Sequence, residues 1–155
     1  MSLWPTGLLD TNTLVLLPRL RDPDVLPDEP LISAVTLAEL SVGPLVAATD
    51  SERESRQAVL QQTEADFDPL PFDAPAARAF GRVAASMRRA GRKPAARSYD
   101  AMIAAIAVSK DLPLFTCNPN DFSGIDGLVV VAVPHPDHPQ PRQPEAGERP
   151  AERPQ

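Results

Sequence analysis

Leu112-Pro113-Leu114-Phe115-Thr116 is a short run with apolar residues on both faces of a would-be strand, and it leads into the polar Asn118-Pro119-Asn120-Asp121. A strand with one wetted face alternates apolar and polar residues, whereas one covered by helices on both sides need not. Leu128-Val129-Val130-Val131-Ala132-Val133 repeats the pattern further on, so the two stretches predict a parallel sheet enclosed between helical layers. Upstream, Asp100 to about Lys110 carries the nearly all-apolar interior Ala-Met-Ile-Ala-Ala-Ile-Ala-Val, the mark of a helix buried on most sides. Before it, Asp73 caps a helix with Pro75 in its first turn, and Gly91 stops it. Ser51-Glu52-Arg53-Glu54 reads as a capping box opening a helix to about Asp66.

Toward the N-terminus, Leu31-Ile32 forms a second strand, and Ser33 caps a helix carrying Val35, Leu37, Ala38, Leu40 and Val42. Pro18 to Pro30 is an irregular, proline-laden connection. Gly7-Leu8-Leu9 is the first strand; it runs into Asp10, after which Thr11 or Asn12 caps a brief helix through Leu17. Short strands alternating with helices predict an α/β fold, a three-layer α/β/α sandwich with a mostly parallel sheet, spanning residues 1–133. Residues 134–155 hold seven prolines among charged and polar residues without apolar periodicity, which predicts a disordered tail.

With 155 residues the chain can bury the core of one domain. Its net charge of −6 argues against a polyanion partner only until the distribution is considered. Between Asp73 and Asp100 there is no acid, while Arg78, Arg82, Arg88, Arg89, Arg92, Lys93 and Arg97 all fall there. A solvated helix face and a track for an RNA backbone are both open readings of that run, the latter centred on Arg88, Arg89, Arg92, Lys93 and Arg97. The single cysteine, Cys117, excludes an intramolecular disulfide and fits a reducing cytoplasm. Pro5 and Asp10 interrupt any secretory leader, and the longest apolar run falls far short of the ~20 residues of a membrane helix.

Asp10, Glu39, Asp100 and Asp121 occupy positions where an acid is locally expensive: a strand end, an apolar helix, the start of the most apolar helix, and the turn after the third strand. Each has a plain structural explanation as a cap, a solvent-facing residue or a turn former. Together they imply something else. In an open parallel sheet, sites form at the carboxyl ends of strands. Crowded carboxylates raise one another's pKa unless a cation neutralises them. With oxygen donors and no His or Cys beside them, that cation is hard, Mg²⁺ or Mn²⁺, and phosphodiester cleavage is the chemistry such sites serve.

Leu8-Leu9-Asp10-Thr11-Asn12-Thr13-Leu14, Ser33-Ala34-Val35-Thr36-Leu37-Ala38-Glu39-Leu40, Tyr99-Asp100-Ala101-Met102-Ile103-Ala104 and Thr116-x-Asn118-x-x-Asp121-Phe122 resemble the motifs of PIN domains. Their order and spacing are similar to those of VapC-type toxins of type II toxin–antitoxin systems. The resemblance covers about residues 7 to 133. It implies a Mg²⁺-dependent endoribonuclease that forms a homodimer and is silenced by a cognate antitoxin. Asp10, Glu39 and Asp100 would be the family's acids and Asp121 the fourth, although some relatives place that acid where Asn118 stands. Asn12 and Thr116 would orient Asp10 and the metal water.

Two other functions compete. A PIN-like module without catalysis would bind RNA or protein only. Asp10-Thr11-Asn12-Thr13-Leu14 also resembles the Asp-x-Asp-x-Thr loop of haloacid-dehalogenase-like phosphatases, but Asn12 replaces the proton donor and Leu14 the threonine. His135 and His138 form His-x-x-His in the proline-rich tail and read as incidental; Cys117 reads as a small buried hydrophobe.

Overall fold

The computed structural model describes residues 2–138. Four strands, β1 (Thr6–Leu9), β2 (Glu29–Leu31), β3 (Leu114–Thr116) and β4 (Val130–Ala132), form a sheet in the order β2-β1-β3-β4. All its pairings are parallel, with Leu8 opposite both Leu31 and Leu114, and Leu114 opposite Val130. The sheet is thus wholly rather than mostly parallel. Five α-helices surround it: α1 (Thr11–Leu16), α2 (Ala34–Val42), α3 (Asp50–Asp66), α4 (Ala74–Arg89) and α5 (Ser98–Lys110).

Successive strand residues point to opposite faces, and each face has its own core. Leu8 and Leu114 join Val83, Met87, Ile103 and Ile106, the buried sides of α4 and α5. Leu9 and Phe115 point the other way, into a cluster with Leu14, Ile32, Cys117 and Val133. Those two opposed clusters are why the strands are apolar on both sides. Gly7 belongs to this packing: a Cβ there would lie 2.3 Å from the Phe115 ring, so only glycine lets that ring close over β1.

Helix starts differ from expectation in two places. Asp10 itself, not Thr11 or Asn12, caps α1, its carboxylate accepting the Thr13 N–H at 3.1 Å. The capping box of α3 is Thr49 to Glu52, displaced from Ser51: the Thr49 hydroxyl accepts the Glu52 N–H, and the Glu52 carboxylate accepts the Ala48 N–H, both at 3.1 Å. Gly91 stops α4 as expected. At φ +77° it closes a Schellman motif, with the Arg92 N–H on the Met87 carbonyl and its own N–H on that of Arg88. α5 ends the same way on Asp111, a non-glycine residue at φ 54°.

The Pro18–Pro30 connection contains two 3₁₀ turns, Leu17–Arg19 and Pro23–Val25, before β2. Of the segment expected to be disordered, residues 134–138 form a turn closed by the His138 N–H on the His135 carbonyl at 3.1 Å. An Arg19–Asp137 ion pair ties that turn to the end of α1. Residues 139–155 lie outside the described residues.

Candidate active site

After β1 the chain crosses to β2 on one side, and later returns to β3 on the other side of β1. The carboxyl ends of β1 and β3 therefore flank the switch point of the sheet, where open parallel sheets place their sites. Asp10 follows β1 directly and Thr116 ends β3. Asp10 is only 4% exposed. Besides the cap bond from Thr13 to Oδ1, its Oδ2 accepts the Thr116 hydroxyl at 2.8 Å. The Thr116 Oγ1 in turn accepts the Asn118 N–H at 2.9 Å, and the Thr13 hydroxyl accepts the Cys117 N–H at 3.0 Å. Three side chains thus stitch two strand ends into a rigid floor.

Glu39 reaches this floor from α2. Its Oε1 accepts the Thr11 hydroxyl at 2.8 Å, while Thr11 and Thr36 hydroxyls lie 3.0 Å apart. Because the single Thr11 proton goes to Glu39, Thr36 must donate to Thr11. Thr36 lies three residues before Glu39, on the same side of the helix. Asp100 stands in the first turn of α5, whose N-cap residue Arg97 makes no side-chain cap bond. With Asp100 making no cap bond, its carboxylate is free to face the other acids. Asp121 sits in the 3₁₀ turn Pro119–Phe122 after β3.

The electrostatics show that these groups sense one another. Burial raises the Asp10 carboxyl above its ordinary range, hydrogen bonds from Thr13 and Thr116 oppose the rise, and Asp121 adds to it. Glu39 is raised by burial, opposed by Thr11 and reinforced by Asp10. Asp100 is pushed up to about 6, first by burial and then by the charges of Asp121, Asp10 and Glu39, with Arg97 pulling the other way. The Cys117 thiol is also raised by burial, opposite to what a nucleophile needs.

A cation of the chain's own already stands here. Arg97 Nη1 donates to Asp121 Oδ1 at 2.7 Å and lies 3.8 Å from Asp100 Oδ2. Arg92 donates to the Asn120 and Asp121 carbonyls and to the Ser123 hydroxyl, and Arg89 pairs with Asp126. The basic run is therefore partly committed to holding the loop that carries Asp121. Its arginines are not remote from the acids. Arg88 and Lys93 are exposed and make no such bond among the described residues.

Among the described residues no three His, Cys, Asp or Glu side chains are close enough together to cage a metal ion. The donor set nonetheless fits a hydrated Mg²⁺, which is commonly held by one or two carboxylates and keeps several waters. Asp10 and Asp100 would hold it, with Asp121 joining once released from Arg97 and Glu39 acting through water.

Asn12 is exposed and makes no hydrogen bond among the described residues, so the orienting role falls to Thr13 and Thr116. The supporting roles of Thr11, Thr13 and Thr36 do not follow from the acid motifs. Hydroxyl residues at one helical turn from an embedded acid were the available signal. His135 and His138 are also not incidental in position: both line a cavity of about 580 Å³ that includes Asn118, Asn120 and Asp121.

A parallel sheet with carboxylates gathered at its switch point defines an α/β protein with an acidic site at the carboxyl ends of its strands. The chain belongs to the PIN domain family, whose model matches residues 8–128, and within it to the VapC group. It is 39% identical over 136 residues to ribonuclease VapC5 of Mycobacterium tuberculosis, covering 86% of this chain and 98% of that one. Over 97 residues it is 36% identical to the tRNA(fMet)-specific endonuclease VapC of Shigella flexneri, covering 63% of this chain and 70% of the relative. Among solved structures it is similar to VapBC-5 of M. tuberculosis, a member of the VapBC family of toxin–antitoxin systems. That match has a TM-score of 0.72 and 35% identity, and covers 83% of this chain and 99% of that one.

Proposed function

We propose that this chain is a Mg²⁺-dependent endoribonuclease and the toxin of a toxin–antitoxin pair acting in the cytoplasm. The observation that carries the reading is the convergence of Asp10, Glu39 and Asp100 at the β1–β3 switch point, each raised in pKa. The names of its relatives support the same reading: ribonuclease and endonuclease for two, toxin–antitoxin assembly for a third.

Mg²⁺ held by Asp10 and Asp100 would supply Lewis acidity and lower the pKa of a bound water so that a nearby base can take its proton. The chain supplies position and proton handling. Asp10 keeps one orientation because Thr13 and Thr116 occupy one lone pair on each carboxylate oxygen. Glu39 is oriented through Oε1 by Thr11, which leaves Oε2 to accept a proton from the attacking water. Asp100, pushed up to about 6 by burial and by the charges of Asp121, Asp10 and Glu39, is a carboxylate that a neutralising cation would relieve. Of Arg88, Arg89, Arg92, Lys93 and Arg97, the exposed Arg88 and Lys93 would hold the RNA backbone, while Arg89, Arg92 and Arg97 hold Asp126 and the loop that carries Asp121.

The antitoxin would dock in a groove of about 370 Å³ between α2 and α3, lined by Val15, Leu40 and Val59, with Glu39 at its edge. An apolar helix face fits such a groove, and a basic side chain following it would meet the acids. A homodimer completes the reading. Incubation of the purified chain with total RNA in Mg²⁺ and in EDTA tests it: cleavage should need the metal and vanish in Asp10→Asn. Full activity in EDTA, or in that variant, overturns the metal-nuclease reading.

A further inference from the structure

The cavity beside the carboxylates has a wall that the proposed cleavage chemistry does not use. The His135 and His138 rings lie in tilted contact, with centroids 5.2 Å apart and planes at 35° to one another. The same cavity is lined by Asn118 and Asn120, whose side-chain amides make no hydrogen bond among the described residues. Val133 and Pro134 add apolar lining, and Asp121 links the cavity to the acids, since its charge is felt by both Asp10 and Asp100.

We propose that this cavity is a nucleobase subsite, holding the base of an RNA nucleotide next to the phosphate at Asp10 and Asp100. The proposal rests on the ribonuclease reading above and adds a contact that reads or anchors a base. Three properties of the wall carry it. Two imidazoles at the cavity wall offer aromatic faces on which a base can lie, and base stacking on aromatic rings is sequence-tolerant binding energy. The free amides are the groups that pair with the edge of a base, offering two donors and a carbonyl acceptor each. The volume, about 580 Å³, is that of a small-molecule site, ample for one nucleotide.

The histidines are held in place in advance. The His135 Nδ1 accepts the Asp137 N–H at 3.1 Å, so the proton of the neutral ring sits on Nε2, where it can be donated to a ligand. Asp137 is itself fixed by Arg19. A metal site is the competing use of His-x-x-His, but the His135 Nδ1 is already taken by the Asp137 N–H. Among the described residues no three ligating groups are spaced for an ion.

The test uses the full chain and a fluorescein-labelled oligoribonucleotide in EDTA, with an abasic unit placed at successive positions. One position should weaken binding to the wild type by at least about 5-fold, the low end of a single base stack. That position should become indifferent in the His135→Ala/His138→Ala double variant and remain sensitive in His135→Phe/His138→Phe. Neither side chain belongs to the buried core, and the turn that carries them is closed by the His138 N–H on the His135 carbonyl, so the variants should keep the wild-type melting temperature. A flat abasic scan in the wild type, sensitivity that survives the alanine pair, or equal loss in the phenylalanine pair overturns the subsite. Base-sensitive binding without cleavage in Mg²⁺ would sink the ribonuclease reading and leave the subsite standing. Cleavage with a flat scan does the reverse.

Discussion

Arg97 holds Asp121 through a 2.7 Å hydrogen bond and at the same time lies 3.8 Å from Asp100, three residues along its own helix. A guanidinium between two carboxylates does what a metal ion would do there: it offsets their repulsion. It also takes one oxygen of Asp121 out of reach of that ion. Arg97 and Mg²⁺ therefore compete, and Arg97→Gln should lower the Mg²⁺ concentration needed for binding several-fold, measurable by calorimetry on the metal-free protein. The Asp100 carboxyl should at the same time titrate above about 6, since Arg97 is the charge pulling it down. A higher Mg²⁺ requirement in the variant would mean that Arg97 organises the loop for the metal and does not oppose it.

The raised acids make a prediction about stability. A carboxyl whose folded pKa exceeds its unfolded value binds the proton more tightly when folded. The folded state then loses stability as pH climbs from the unfolded pKa, 3.8 for Asp100, through the folded one at about 6. Asp10 and Glu39 shift in the same direction and add to the slope. Asp100 is a third exposed, and allowing for solvent screening its share is on the order of 1–2 kcal/mol. Metal-free protein should therefore melt at a higher temperature at pH 5 than at pH 7.5, by roughly 2–6 °C. Asp100→Asn, which abolishes the charge, should flatten that difference and stabilise the protein at pH 7.5. An unchanged slope in the variant would show that Asp100 does not carry the effect.

Thr116→Val keeps the shape of a β-branched side chain at the end of β3 and removes the hydroxyl that donates to Asp10 at 2.8 Å. The Asp10 carboxyl should rise further, because one of the two side chains opposing the effect of its burial no longer does so. Supporting hydrogen bonds of this kind typically contribute about 10–100-fold in metal affinity. Weaker Mg²⁺ binding by about that factor is expected, with activity recovered at high Mg²⁺. Thr116→Ser should behave as wild type. Equal loss in the serine variant would show that packing, not the hydroxyl, matters at this position.

The acids were legible in the sequence because burying a charge is costly, so an Asp ending an apolar strand or opening an apolar helix stands out. The parallel sheet was legible for the complementary reason: Leu114 and Phe115 both have to be apolar when one faces α4 and α5 and the other faces the cluster with Leu9 and Ile32. What was not legible depends on contacts between distant positions. Asp10 reads as either a cap or a site acid, and only the folded chain shows one carboxylate accepting both the Thr13 cap bond and the Thr116 hydroxyl from the neighbouring strand. Residues 134–138 show no apolar periodicity, and what fixes them is an ion pair between Arg19 and Asp137, 118 positions apart. Arg92 and Arg97 read as members of a basic run, because nothing local reveals that their partners lie in the Asn120–Ser123 loop.

That division within the basic run gives the last prediction. Arg88 and Lys93 are exposed and make no ion pair among the described residues, whereas Arg92 clamps the loop that carries Asp121. A protein with a net charge of −6 needs a local positive surface to hold RNA, and at the end of the run nearest the acids these two residues are free to provide it, as the exposed Arg78 and Arg82 are further back along α4. Arg88→Glu/Lys93→Glu should weaken binding of single-stranded RNA and reduce its salt slope by about 1.4, because each phosphate that is no longer neutralised takes away about 0.7. Metal affinity and melting temperature should stay at wild-type values. Arg92→Ala should do something different: loosen the loop, lower the melting temperature, and weaken Mg²⁺ binding through Asp121 while changing the salt slope little. Filter binding across a salt series, with calorimetry on the same samples, separates the two. If the double charge reversal leaves the salt slope untouched, the RNA track runs elsewhere and the exposed end of α4 is an ordinary solvated surface.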